Sequence, residues 1–161
     1  MKRKIFGMVF AVMLLAAGIA GAEELYPPLF KAPLPEDAVI QPASQEIPAE
    51  YAKFLGVWEG NWDWKDLPNR LIVISIKRAP DGKYEADVYY AWGEPNGNDI
   101  IKHKRLTGKF LKNDLFLTYE GKDDYTREIT YELKSNPVKL DGYYTQNGGK
   151  NYSRITVKKV Q

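Results

Sequence analysis

Turn-forming residues cut the chain from Val57 onward into short runs. No interval between two turns leaves room for a helix that would return one strand beside a parallel neighbour. The runs are Val57 to Trp64, Leu71 to Arg78, Lys83 to Trp92, Ile100 to Phe110, Leu115 to Glu120, Thr126 to Leu133, Lys139 to Thr145 and Tyr152 to Val160. Separating them are Asp66 to Asn69, Ala79 to Gly82, Gly93 to Asn98, Lys112 to Asp114, Gly121 to Asp124, Ser135 to Pro137 and Gln146 to Gly149, all rich in Gly, Pro, Asn or Asp. Short connections make sequential strands antiparallel neighbours, and eight such strands in a meander can close into a barrel. A two-sheet sandwich is the rival, but it needs longer Greek-key connections. The expected class is therefore all-β, an eight-stranded antiparallel up-and-down barrel over residues 51–161. A short helical turn is expected before it, because Pro48 suits a helix start and Tyr51, Phe54 and Leu55 recur at helical spacing.

The residues ahead of the barrel bear on compartment. Lys2, Arg3 and Lys4 precede an apolar stretch from Ile5 to Ile19, and Ala20-Gly21-Ala22 offers small residues for cleavage before Glu23. That is the pattern of a signal peptide over residues 1–22, and it implies a periplasmic or secreted protein. An uncleaved membrane anchor is the alternative. The whole chain has 23 basic and 21 acidic residues, and loss of the three basic residues in the signal leaves 20 against 21. A net charge near zero gives no electrostatic basis for binding nucleic acid. The chain has no cysteine, so neither disulfides nor an N-terminal cysteine lipid can support it. Residues 23–50 contain Pro27, Pro28, Pro33, Pro35, Pro42 and Pro48 and read as an extended arm or linker. Leu25, Tyr26, Leu29 and Phe30 give that arm an apolar surface that can dock on the barrel.

In an extended strand residues two apart share a face. Trp58, Gly60, Trp62 and Trp64 then line one side of the first run, and Tyr84, Ala86, Val88, Tyr90 and Trp92 one side of the third. With Leu115, Leu117, Tyr119, Ile129, Tyr131, Leu133 and Tyr144, these predict an aromatic barrel interior. Trp58, at the start of its strand, reads as core. Trp62, Trp64, Tyr90 and Trp92 lie beside the longer loops, and their polar handles suit planar or amphipathic ligands. The competing reading is that the same rings simply fill the barrel.

Gly56-Val-Trp58 after a short helical turn, with a strand meander following, resembles the calycin superfamily of lipocalins, fatty-acid-binding proteins and avidins. With Leu71-Ile-Val73 and Tyr89-Tyr-Ala-Trp-Gly93, the pattern looks most like small lipocalin-like domains of exported bacterial proteins. The resemblance implies structural roles for Gly56 and Trp58, with Trp58 packed in the closed end. It also implies a basic residue of the last strand against Trp58, for which Arg154 is the candidate. It further implies a ligand site in the barrel, made here by Trp62, Trp64, Tyr90, Trp92, Tyr131 and Tyr144.

Signals for catalysis are sparse. His103 is the single histidine and sits among Lys102, Lys104 and Arg105. Ser44, Ser75, Ser135 and Ser153 stand in no nucleophile elbow. Asp63, Asp66, Asp123 and Asp124 lie at turns, where acids usually cap or are solvated. No catalytic residue, metal ligand or cofactor is expected. Lys102, Lys104 and Arg105 read as edge protection or as a weak contact to an anionic envelope surface. The function expected is that of a monomeric exported protein binding a small hydrophobic or amphipathic molecule. The alternative is a filled barrel that binds protein or glycan through the loops Gly93 to Asn98 and Gln146 to Lys150. A carboxylate-using hydrolase or isomerase is a third reading.

Overall fold

The alternation of apolar and polar residues produces eight strands in the order expected: β1 (Gly56–Trp62), β2 (Leu67–Arg78), β3 (Tyr84–Trp92), β4 (Lys102–Leu111), β5 (Asp114–Glu120), β6 (Thr126–Ser135), β7 (Val138–Gln146) and β8 (Asn151–Lys159). They were located in a computed structural model that describes residues 32–93, 102–121, 125–149 and 151–161. The segment read as a signal, the apolar residues Leu25, Tyr26, Leu29 and Phe30, Asp123 and Asp124, Lys150 and most of the Gly93 to Asn98 loop lie outside these residues. Each strand pairs antiparallel with the next and β1 pairs with β8, so the sheet is a closed up-and-down barrel.

The β1–β8 seam is fastened at both ends. At one end the Val57 N–H donates to the Gln161 carbonyl at 2.8 Å, and the Val160 N–H returns the bond to Val57 at the same distance. At the other end Asp63 extends the pairing. Its N–H donates to the Arg154 carbonyl at 2.9 Å, while its carboxylate accepts from the Arg154 N–H at 2.9 Å and from the Ser153 hydroxyl. These donors, Ser153 first, hold the Asp63 carboxyl below its ordinary value. Gly56 is required at the seam. Its φ is 126°, and a Cβ there would sit 2.2 Å from the Gln161 carbonyl oxygen.

The helical turn, α1 (Ala49–Ala52), plugs the seam end where β1 begins. Tyr51 and Phe54 pack against Phe110 with ring centroids 4.5 and 5.3 Å apart, and Tyr51 also meets Tyr84 at 4.9 Å. Trp58, with no exposed surface, stands over this plug and donates its indole N–H to the Phe54 carbonyl at 2.8 Å. Burying such a ring contributes on the order of 2 to 3 kcal/mol. Leu71, Leu115, Leu117, Ile129, Leu140 and Val157, all buried, fill the lumen around it.

β2 is buried from Asn69 through Ile74 without alternation, because both its faces are covered. Leu71 and Val73 face the lumen. Val57, Ile72, Ile74 and Tyr89 form a second apolar cluster on the outside, and Ala38 and Ile40 of the Pro-rich arm pack on it. An irregularity between Val73 and Ser75 interrupts the β2–β3 register. There the Ile74 carbonyl accepts from the Gln41 N–H of the arm at 2.8 Å. The Tyr89 hydroxyl completes the attachment by donating to Asp37 at 2.5 Å. The arm is thus a strap across β1 to β3, at least over its described part.

The first hairpin differs most from expectation. β1 stops at Trp62, and the turn occupies residues 63–66 rather than 66–69. Lys65 and Asp66 take the left-handed φ values of 57° and 51°, which reverses the chain early. Pro68 consequently lies inside β2 opposite Asn61, at the strand's beginning, where a missing N–H is tolerated.

Candidate functional site

The strand register brings a second aromatic group to the end of the barrel away from α1. Trp62 donates its indole N–H to the Tyr90 hydroxyl at 3.2 Å and meets Tyr144 edge-on at 6.0 Å. Tyr90 contacts Trp92 at 5.4 Å and Tyr119 at 5.8 Å, and Trp92 stacks on Tyr119 at 6.3 Å with planes 19° apart. Trp62 and Tyr90 are buried, whereas Trp92, Tyr119 and Tyr144 are half-buried and keep part of their surface towards solvent.

Below these rings, Tyr131 of β6 reaches across to β2. Its hydroxyl donates to Asn69 Oδ1 at 3.0 Å, and the Asn69 amide donates to the Ala91 carbonyl at 2.8 Å. All three residues are buried. The Tyr131 ring fits because Gly142 faces it: a Cβ at that position would lie 2.8 Å from the ring. Tyr131 therefore separates the filled lower lumen from the mouth above it. Burial pushes the Tyr131 and Tyr90 phenols well above their ordinary value, so both keep their protons.

Of the expected ligand-site residues, Trp62, Tyr90, Trp92 and Tyr144 come together at the mouth, and Tyr131 forms its floor. Trp64 does not join them. It is 58% exposed in the turn after β1, with the Lys65 ammonium 4.7 Å from its ring centroid. The two-residue alternation that placed Trp64 inside holds only while the strand continues, and the turn ends it.

The basic partner of Trp58 is also different. Lys159 lies over the indole at 5.4 Å, while Arg154 points outward over Tyr143 at 5.9 Å. Ile155 and Val157 face the lumen, and their parity reaches Lys159 rather than Arg154. Lys102, Lys104 and Arg105 are not one band either, since neighbours in a strand alternate faces. Arg105 faces outward, binding Asp87 at 2.5 Å and lying over Tyr89 at 5.6 Å. His103 is on the same outer face, edge-on to Tyr89 at 5.6 Å. Lys102 and Lys104 share the lumen parity of Leu106 and Phe110 and pair across to Trp92 and Tyr90.

Four residues described at the mouth were absent from the expected site: Asn69, Lys104, Tyr119 and Arg127. The Lys104 ammonium donates to the Glu120 carbonyl at 2.8 Å and lies 5.0 Å from the centroid of Tyr119. The Arg127 guanidinium lies 6.0 Å from the same centroid. The available signal was Arg127 on the parity of Ile129, Tyr131 and Leu133, a charge where the pattern demands an apolar residue. Among the described residues no group of three or more His, Cys, Asp or Glu side chains is arranged to hold a metal ion. Comparison with protein-family models, curated proteins and solved structures returns no match.

Proposed function

We propose that this chain is an exported, lipocalin-like member of the calycin superfamily whose barrel mouth binds a small hydrophobic or amphipathic molecule. The observation that carries this reading is the group of half-buried rings, Trp92, Tyr119 and Tyr144, resting on Trp62 and Tyr90 above the Tyr131 floor. Core aromatics at the plugged end are sealed by α1, while these rings offer flat apolar faces beside polar handles. The Gly56-Val-Trp58 start, the helical plug and the closed eight-strand meander support the family reading. The apolar stretch after Lys2, Arg3 and Lys4 supports export to the periplasm or medium, where the protein acts as a monomer.

Tryptophan fluorescence of the full chain tests the binding role. Titration with dodecanoate, 2-naphthoate and 2-naphthamide should quench or shift the emission saturably with at least one of them, and Trp92→Ala should remove the response. Absence of any response overturns the carrier role. A second reading is favoured by one observation: Trp64 and Tyr125 are 58% and 46% exposed in turns at this same end. They suit a barrel that contacts a protein or glycan through its rim.

A further inference from the structure

The plugged end carries exposed side chains that neither the core nor the mouth uses. Its turns, residues 79–83, 112–113 and 136–137, lie within the described residues, as does α1. Three aliphatic side chains are more than half exposed there: Leu111 at the end of β4, Val138 at the start of β7 and Val160 just after β8. One exposed aliphatic residue needs no explanation, but these three share an end and each has lysine beside it. Lys109 and Lys112 flank Leu111, Lys139 follows Val138, and Lys158 and Lys159 precede Val160.

Charge at this end is unevenly matched. Lys134, Lys139 and Lys158 are direct partners across β6, β7 and β8, a row of like charges that costs stability. Glu132 takes up Lys134 and Asp141 takes up Lys139 at 2.9 Å, but Lys158 forms no ion pair among the described residues. Its partner on β1, Glu59, is held by Arg70 at 2.7 Å. Lys83 pairs with Asp81 at 3.3 Å. The cations left without an ion pair among the described residues are Lys53, Lys77, Arg78, Lys109, Lys112, Lys158 and Lys159, all exposed. Fewer acidic side chains are left to meet them: Glu46, Glu50, Glu85 and Asp114, the last two half-buried. Glu85 lies between Lys77 and Lys109 in the strand register and offsets part of their charge.

The placement of these groups decides what they fit. β4 and β8 stand four strands apart in a closed ring of eight, so Leu111 and Val160 lie on opposite sides of the barrel with the plug between them. A small ligand cannot reach both, whereas a flat, extended partner meets the whole end at once. We infer that the plugged end rests on an anionic phospholipid surface. Leu111, Val138 and Val160 enter the headgroup layer, and the lysines beside them lay their stems along it with the ammonium groups at the phosphates. Each lysine near such a surface adds to the attraction, and salt weakens it. The mouth lies at the other end of the barrel and stays open while the protein is docked.

The test uses the absence of cysteine from the chain, which lets L111C, V138C, V160C and, at the mouth end, Y125C each carry one nitrobenzoxadiazole label in the full chain. Labelled protein is mixed with vesicles of phosphatidylcholine alone or of equimolar phosphatidylcholine and phosphatidylglycerol. Emission at positions 111, 138 and 160 should move to the blue with the phosphatidylglycerol vesicles and stay unmoved with phosphatidylcholine alone, and position 125 should respond to neither. The apolar stretch near the N-terminus can hold vesicles by itself, so the label positions decide and sedimentation does not. Adding K53Q/K109Q/K112Q/K158Q to the V138C chain should reduce its shift at least about threefold, as should high salt. An unchanged urea midpoint shows that this variant is folded, and single K112Q and K158Q variants replace it if it is not. No shift at the plugged end, an equal shift with both vesicles, a shift at position 125 alone, or a shift that survives the lysine substitutions overturns the proposal.

Discussion

At the plugged end of the barrel, Trp58 donates its indole N–H to a backbone carbonyl of the plug itself, and Phe54, Tyr51 and Phe110 close over it. At the mouth, Trp62 donates to another side chain, Tyr90, whose ring passes the contact on to Trp92 and Tyr119. Both ends draw on the same residue types, yet one is satisfied internally and the other retains partly exposed faces with cationic neighbours. The contrast shows that aromatic content alone does not mark a binding site. What distinguishes core from site is where the polar atoms of the rings are directed, and whether anything covers their faces.

Substitutions can sharpen or break this contrast. Trp58→Ala should cost about 3 to 5 kcal/mol, read from urea unfolding, because it empties a sealed site beneath the plug. A cost below about 1 kcal/mol would mean that the closed end is not the stability centre. Tyr131→Phe should cost about 1 to 3 kcal/mol, since Asn69 Oδ1 loses its partner in a buried setting. Trp92→Ala should cost less than about 2 kcal/mol while abolishing ligand response. If Trp92→Ala destabilised as much as Trp58→Ala, the mouth would be core and the two ends equivalent.

The smallest expected effect concerns the strap. The hydrogen bond from Tyr89 holds the Asp37 carboxyl below its ordinary value of 3.8, with Arg105 and His103 adding to it, and the same bond raises the Tyr89 phenol above 10.0. A lowered carboxyl contributes fully above its unfolded value and loses that contribution as pH falls through the folded one. A raised phenol contributes below its unfolded value and loses it as pH rises through the folded one. Amide protection of residues 38–41, taken relative to the intrinsic exchange rate at each pH, should therefore be greatest between these limits and fall on either side. Asp37→Asn should remove the acid limb and shrink the alkaline one, because Asp37 is also the main cause of the raised Tyr89 phenol, with global unfolding hardly changed. A pH-independent strap in the unaltered protein would contradict the attachment.

Much of the barrel was legible because turn chemistry and two-residue alternation are local properties. The eight runs and the inward positions of Trp58, Tyr90, Ile129 and Tyr131 follow from them. Parity failed where a strand ended sooner than its pattern: Trp64 kept the right spacing after the chain had turned at Lys65 and Asp66. Arg154 was chosen on resemblance, while the alternation of Ile155 and Val157 pointed to Lys159. Reading Lys102, Lys104 and Arg105 as one charge cluster ignored the same alternation, which sends two of them inward and one outward. The strap was foreshadowed in Leu71-Ile-Val-Ile74, since a strand apolar on both faces needs cover on both. No single-strand pattern reveals the Tyr131 to Asn69 bond, because it spans the lumen.

Seven of the barrel's pairings join strands consecutive in the chain, and one, β1 with β8, does not. Hairpins zip quickly because little entropy is lost in bringing their arms together, whereas the seam must gather segments from opposite ends of the domain. Until Gln161 meets Val57 and Asp63 meets Ser153, the outermost strands present unpaired edges to any neighbouring chain. On topology, the seam is the pairing expected to form last, and the interval before it the one most open to aggregation.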